Sequence, residues 1–277
     1  MKHLAEGFRW SFSKLAGYLQ CPRNFYLTYV EAEREPLENF FGQVGSWCHL
    51  LLESWAKNET PAFLLAEEFE SGYDEHVTMA PPKFPPNLGQ TSYDQCLAYF
   101  ESFDGFGDEW EVVSVEEKFV IKYEGFNISG IADLVLRNRE TGALRIVDHK
   151  TKSASSMSKE INLYRKQLYL YAHWCYERFG RWPMDICFNM LKTQEMIIEP
   201  FSYDEHAIAM KWYVDTIRQI LASDALEDWD CKINKFFCQN LCDVCTDCLD
   251  WQEVKRIDYE KWLAKKQAEE SVYGDIL

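Results

Sequence analysis

The stretch Ser129–Ser153, "SGIADLVLRNRETGALRIVDHKTKS", places two aspartates inside runs that are otherwise apolar. Asp133 interrupts "GIADLVL" and Asp148 interrupts "ALRIVDHKT", and the polar turn "ETG" separates the two runs. Strand alternation puts Asp148 and Lys150 on one face and turns His149 to the other. A carboxylate and an ammonium therefore share a face at a strand end. Asp133 sits in a run apolar on both faces, where an unpaired charge would cost on the order of several kcal/mol.

A divalent cation held by Asp133 and Asp148 would offset that cost, because hard ions take oxygen ligands and keep several waters. The chemistry is then phosphodiester hydrolysis. The ion lowers the pKa of a bound water, and Lys150 orients the nucleophile or stabilises negative charge on the attacked phosphate. The same residues also fit a buried Asp133–Lys150 ion pair with Asp148 capping a turn.

The elements that must carry these residues follow from periodicity and turn signals. From Ser11, a good N-cap, "SFSKLAGYLQCPRNFYLTYV" has helical spacing up to the Cys21-Pro22 break and then resumes with aromatics. "FFGQVGSWCHLLLESWAK" reads as a second helix, a third follows around Pro61 to Tyr73, and "APPKFPPNLGQ" is a loop before a helix near Tyr93 to Phe103. From about Trp110 the pattern changes to strands, "WEVVSVEEKFVIKY", "FNISGIADLVLRN" and "ALRIVDHKT", split by the turn signals "EG" and "ETG". "INLYRKQLYLYAHWCYERFG" predicts a helix ending at Gly180, "DICFNMLKT" and "EMIIEPFSY" two more strands, and the span from Asp204 to Leu221 a long helix. The expected order is a strand meander, a crossover helix, further strands and a helix.

With 277 residues the chain is long enough for one α/β domain with appended helices. No apolar run is long enough to span a bilayer, and the start, "MKHLAEGFRW", lacks the apolar core of a secretory signal. The expectation is a cytoplasmic protein without a membrane partner. Ten cysteines in such a chain point to reduced thiols and metal ligation. Cys48, Cys96, Cys175 and Cys187 lie singly in apolar segments and read as small buried hydrophobes, whereas Cys231, Cys238, Cys242, Cys245 and Cys248 crowd together. The formal net charge of −16 opposes non-specific affinity for a polyanion, unless a local basic strip or bound metal ions neutralise phosphate.

Three motifs in order, Gly130-Ile131-Ala132-Asp133, Asp148-His149-Lys150, and Gln167 with Tyr171, resemble the PD-(D/E)xK nuclease superfamily in its RecB-like branch. The i, i+4 spacing sets Gln167 and Tyr171 on one helix face, able to flank the scissile phosphate. The resemblance implies an α/β fold: a restriction-endonuclease-like mixed central sheet flanked by helices, with an N-terminal helical region and a C-terminal cysteine-rich segment. It treats 1–277 as a single nuclease domain, with a helical region over 1–108, a nuclease core over 109–222, and the cysteine-rich segment with a C-terminal helix over 223–277. The implied catalytic residues are Asp133, Asp148, Lys150, Gln167 and Tyr171. Mg²⁺ or Mn²⁺ would be held by Asp133, Asp148, the backbone carbonyl of His149, and His49, which follows Gly45 in "VGSWCHLLLES". By its sequence context alone, a histidine on a leucine-rich helix is also a core residue.

The branch includes members with an iron–sulfur cluster, among them the CRISPR-associated adaptation nuclease and the nuclease domain of the AddB helicase subunit. Their pattern of one N-terminal cysteine and three C-terminal ones implies Cys21, in "CPR", with Cys238, Cys242 and Cys248, and Cys245 as the alternate. The usual spacing C-x2-C-x5-C is not met here, since Cys238-x3-Cys242-x5-Cys248 has Cys245 interposed. The group is a [4Fe–4S] cluster or, alternatively, Zn²⁺. A local zinc knuckle of Cys238, Cys242, Cys245 and Cys248 would leave Cys21 as a core thiol.

DNA is the implied partner, single-stranded or with free ends. Lys152, Lys159, Arg165 and Lys166 beside Lys150 supply a basic strip for it. The expected function is a metal-dependent DNA nuclease, an exonuclease serving recombination, repair or phage DNA processing. No Walker A motif is present, so a helicase or recombination protein would be a separate partner. The alternatives are a CRISPR adaptation nuclease, and a catalytically silent, metal-stapled DNA-binding scaffold. The intact set of His49, Asp133, Asp148 and Lys150 speaks against the scaffold.

Overall fold

A computed structural model describes residues 7–31, 35–83, 86–223 and 228–274. Strand β1 (Arg9–Ser11) leads into helix α1 (Phe12–Gln20), whose first turn is capped by Ser11 Oγ accepting from Lys14 N at 3.3 Å. The proline at position 22 opens α2 (Pro22–Phe25), and a π-helical turn, Tyr26–Glu31, continues it. Helix α3 (Phe40–Ala56) starts at Asn39, whose Oδ1 accepts from Phe41 N at 3.0 Å and Gly42 N at 3.2 Å. A 3-10 turn, Ala62–Leu64, precedes α4 (Leu65–His76), and α5 (Leu88–Ser102) begins at Leu88 rather than near Tyr93.

Strands β2 (Trp110–Tyr123), β3 (Phe126–Asn138) and β4 (Leu144–Lys150) form the expected antiparallel meander. Its first turn is the pair Glu124 and Gly125, with φ of 45° and 86°, as a two-residue hairpin turn with the twist of its strands requires. Helix α6 (Ala154–Phe179) is capped by Ser153 and stops at Gly180, whose φ of 71° ends it in the left-handed region. It carries the chain across to β5 (Asp185–Met190), which pairs parallel with β4, and β6 (Glu195–Pro200) returns antiparallel to β5. Helix α7 (Tyr203–Leu221) follows, then α8 (Lys235–Asn240) and α9 (Leu249–Gly274).

The six-stranded sheet runs β1-β3-β4-β5-β6 with β2 on the other edge of β3. Because β3 is long, β1 and β4 share one of its edges, pairing with Asn127–Ser129 and with Leu134–Arg137 respectively. This mixed sheet flanked by helices is the α/β architecture the motifs imply. β1 is too short, at three residues, to show in the periodicity.

The described residues divide into two compact units. The first, Met1–Ala16 with Glu38–Ser223, contains the sheet. Every residue of β5 is buried, and its one charge, Asp185, accepts two hydrogen bonds from Arg145 at 2.7 and 2.8 Å. Leu134, Leu136, Val147 and Cys187 pack with Ala56 and Trp110, while α6 packs on the sheet through Trp174, stacked on Phe119 with ring centroids 5.0 Å apart. Helices α3, α4 and α5 build a further core around Trp47, Leu51, Phe69 and Phe100. Cys48, Cys96, Cys175 and Cys187 are each 0% exposed, as small buried hydrophobes.

The second unit, Gly17–Leu37 with Asp224–Leu277, joins two segments distant in the chain. Trp229 is buried and stacks on Phe25, with ring centroids 5.9 Å apart and planes 3° from parallel. Arg23 donates to the carbonyls of Trp229 (Nε, 2.9 Å) and Asp230 (backbone N, 3.1 Å). Among the described residues, no helix is long and apolar enough to cross a membrane.

Candidate active site

Register sets the acidic residues of the first unit. β3 pairs with β4 at Leu134↔Val147, so one residue further along Asp133 comes beside Asp148. β3 pairs with β2 at Val115↔Leu134 and Glu117↔Ala132, so Glu116 stands opposite Asp133. Three carboxylates thus stand abreast on three adjacent strands. Like charges so placed repel, and the surroundings show how the protein contains them.

Asp148 is 0% exposed. Lys150 Nζ approaches its Oδ2 to 2.5 Å as an ion pair, and among the described residues no other group hydrogen-bonds either Asp148 oxygen. Burial lifts the Asp148 pKa to about 6 against the pull of Lys150, and Asp133 adds to the lift. Burial also raises Asp133, with His49 and Lys150 pulling back, and Asp133 Oδ2 accepts from the backbone N–H of His149 at 2.8 Å. Burial works against the Lys150 ammonium, but Asp148 and Asp133 outweigh it and its pKa lies above the usual lysine value.

Lys150 is held from α6. Its Nζ donates to Gln167 Oε1 at 3.0 Å, and Gln167 Nε2 donates to Tyr171 Oη at 2.6 Å. Tyr171 is 4% exposed, so it reaches Lys150 only through Gln167. The glycine of Gly130-x-x-Asp133 has a packing reason. A Cβ there would lie 2.5 Å from the Phe119 ring and 3.1 Å from Tyr171. Gly45 has a similar one, since its Cβ would meet Thr151 Oγ1 at 3.3 Å as α3 passes the end of β4.

His49, on α3, faces the same acids. Its Nδ1 lies 3.2 Å from Glu116 Oε1 and 3.7 Å from Asp133 Oδ2, and its Nε2 lies 3.1 Å from the His149 carbonyl oxygen. Burial opposes the His49 charge, yet Asp133 and Glu116 raise its pKa to about 9. His149 has the opposite fate. Burial holds it well below the usual histidine range, and Asn189 Nδ2, 3.0 Å from its Nδ1, also donates to Tyr99 Oη at 2.6 Å. The site therefore gathers His49, Asp133, Asp148, Lys150, Gln167, Tyr171 and the His149 carbonyl.

Glu116 was not among the expected residues, although a signal for it exists. The two-residue turn fixes Tyr123↔Phe126, and seven residues to either side of that pair lie Glu116 and Asp133. The basic strip is more internally paired than its sequence suggests. Lys152 pairs with Glu160 at 2.6 Å, Arg165 donates to both Glu199 oxygens at 2.7 and 2.5 Å, and Lys166 donates to the Asn162 carbonyl at 2.9 Å. Lys159 is exposed on α6.

The second unit holds its own thiol cluster. Cys21, Cys238 and Cys248 are buried and Cys231, Cys242 and Cys245 half-buried. Cys231 Sγ lies 3.7 Å from Cys248 Sγ, and Asn24 Nδ2 donates to Cys242 Sγ at 3.3 Å. Burial, reinforced by Cys21 and Cys248, holds the Cys231 and Cys238 thiols above their usual pKa. Cys231 belongs to the crowded segment but not to the expected ligand set, and the structure sets its thiol beside that of Cys248.

A family model of the PD-(D/E)XK nuclease superfamily matches residues 9–248, and the chain belongs to that superfamily. A candidate exonuclease from Eubacterium rectale is similar in structure, with 12% identity, a TM-score of 0.46, and coverage of 86% of this chain and 87% of that one. The protein SSO0001 is similar at 16% identity and a TM-score of 0.33, covering 86% of this chain and 93% of that one. No curated protein matches the chain significantly.

Proposed function

We propose that the protein is a Mg²⁺- or Mn²⁺-dependent deoxyribonuclease, an exonuclease acting on single-stranded DNA or DNA ends. The observation that carries this reading is Asp148, fully buried beside Asp133 with the Lys150 ammonium against Oδ2 and no partner for Oδ1. The donor set of Asp133, Asp148, His49 and the His149 carbonyl is oxygen-rich with one imidazole, which fits a hard divalent ion. When bound, such an ion supplies a Lewis acid and a water of lowered pKa.

The remaining residues have separate tasks. Lys150 keeps its proton, and its ammonium stabilises the charge that grows on an attacked phosphate. Gln167 holds Nζ in place, and Tyr171 holds Gln167. DNA is steered past the acidic exterior by Lys159 and the uncompensated part of the Lys152, Arg165 and Lys166 strip. In the second unit, Cys21, Cys238, Cys242 and Cys248 bind a [4Fe–4S] cluster or Zn²⁺, the soft-donor groups that thiolates select. Recombination, repair or phage DNA processing is the setting, alongside a separate helicase or recombination protein.

Labelled single- and double-stranded DNA incubated with Mn²⁺ or Mg²⁺, with and without chelator, tests the reading. Chelator-sensitive release of nucleotides from ends is expected, and Asp148→Ala and Lys150→Ala should abolish it. DNA that stays intact with wild-type protein and either ion overturns it.

A further inference from the structure

Glu116 has no part in the reading above, yet the strand is distorted around it. Its φ is +46°, in the left-handed region that a non-glycine residue enters only under constraint. It stands directly opposite Asp133, a placement that repulsion disfavours. What this backbone achieves is a direction. Glu116 Oε1 reaches His49 Nδ1 at 3.2 Å, while the other ring nitrogen, Nε2, stands 3.1 Å from the His149 carbonyl oxygen.

We propose that Glu116 is a positioning residue for His49, accepting its Nδ1–H and thereby presenting Nε2, with the His149 carbonyl and Asp133, to a divalent cation. A neutral imidazole carries one N–H, and a carboxylate at Nδ1 claims it. The Nε2 lone pair then faces the lone pairs of the carbonyl oxygen. In the metal-free protein a second proton, on Nε2, satisfies that carbonyl across 3.1 Å, and a cation held by both atoms would take that proton's place. Asp148, 0% exposed, has the Lys150 ammonium against Oδ2 and no partner for Oδ1, which independently marks this region as built for a further ligand. This assignment rests on the metal-dependent reading of the site.

A merely structural Glu116 would tether α3 to β2 through His49. The two roles separate because glycine adopts φ of +46° without strain. Glu116→Gly keeps the backbone and deletes the carboxylate, and Glu116→Gln keeps the length and removes the charge. The measurements are Mn²⁺ binding to the whole protein, read from the free-ion electron paramagnetic resonance signal, and the melting temperature in EDTA. In both variants the Mn²⁺ dissociation constant should rise about tenfold or more, the usual effect of losing a carboxylate behind a ligating histidine. The melting temperature of Glu116→Gly in EDTA should be unchanged or higher.

An unaltered dissociation constant in Glu116→Gly overturns the assignment. So does a weakened one accompanied by a lower melting temperature in EDTA, which is the mark of a tether. The underlying reading fails distinguishably. If wild-type protein binds no Mn²⁺, or Asp133→Asn and Asp148→Asn bind it as the wild type does, the metal site itself is lost and the role of Glu116 with it.

Discussion

Asp148 and His49 carry opposite charges into the same site, and their titrations give it a pH signature. The folded-state pKa of Asp148 is raised from 3.8 to about 6. Its contribution to stability is therefore full below the unfolded value and lost as pH rises through about 6. A rise of about two units corresponds to roughly 3 kcal/mol. Metal-free wild-type protein should lose stability between pH 4 and 6 relative to Asp148→Asn, as compared by denaturant unfolding in EDTA. Parallel pH profiles for the two would sink the idea that Asp148 is ionised at a cost the ion relieves. His49, raised to about 9, is charged at neutral pH in the metal-free protein. An ion at Nε2 must displace a proton, so Mg²⁺ affinity should rise by up to about tenfold per pH unit between pH 6.5 and 8.5. Calorimetric titration checks this, and His49→Gln should flatten the slope. A slope unchanged in His49→Gln would remove the histidine from the ligand set.

At the scale of elements, the site depends on how closely α6 and α3 approach the sheet, and two glycines set that distance. Gly130→Ala would put a Cβ 2.5 Å from Phe119, a ring already fixed by its stack on Trp174. The cost is about 1–3 kcal/mol of overpacking, and the displaced Tyr171 would carry Gln167 and Lys150 with it. Thermal denaturation should show the loss, and cleavage measured well below the melting temperature should fall more than the folded fraction does. Native activity in a stable Gly130→Ala protein would show that the Tyr171–Gln167–Lys150 chain has no positioning role. The motifs on these elements were legible in the sequence because each obeys a local period: two for β3 and β4, and i, i+4 for Gln167 and Tyr171 on α6. The turn between β2 and β3 was legible too, and with it the register that opposes Glu116 to Asp133. The left-handed backbone of Glu116 was not, since no glycine marks it. Nor was the ion pairing of Arg165 with Glu199, because a helix residue and an edge-strand residue meet only through the packing of α6 on the sheet.

Across the whole molecule, two segments distant in sequence, Gly17–Leu37 and Asp224–Leu277, make up a single unit, where six thiols lie as far apart in the chain as Cys21 and Cys248. Metal held by thiolates from both segments, as proposed, would couple ligation to the folding of that unit. The Trp229–Phe25 stack and the Arg23 hydrogen bonds would then act with the metal rather than alone. Six cysteines exceed the four positions of a cluster or a zinc ion, and their environments divide them. Cys21, Cys238 and Cys248 are buried, and Asn24 fixes the thiol of Cys242, which favours these four. Cys231, 3.7 Å from Cys248, is the competitor that spacing alone conceals. Six single Cys→Ser variants, purified without oxygen and assayed for iron, zinc and visible absorption, decide the matter. Cys21→Ser, Cys238→Ser, Cys242→Ser and Cys248→Ser should each lose metal and melt lower, while Cys231→Ser and Cys245→Ser should keep it. If Cys231→Ser strips the metal and Cys242→Ser does not, the fourth ligand is Cys231. If Cys21→Ser leaves metal content untouched, the two segments are held by aromatic packing alone and the metal belongs to a local C-terminal knuckle.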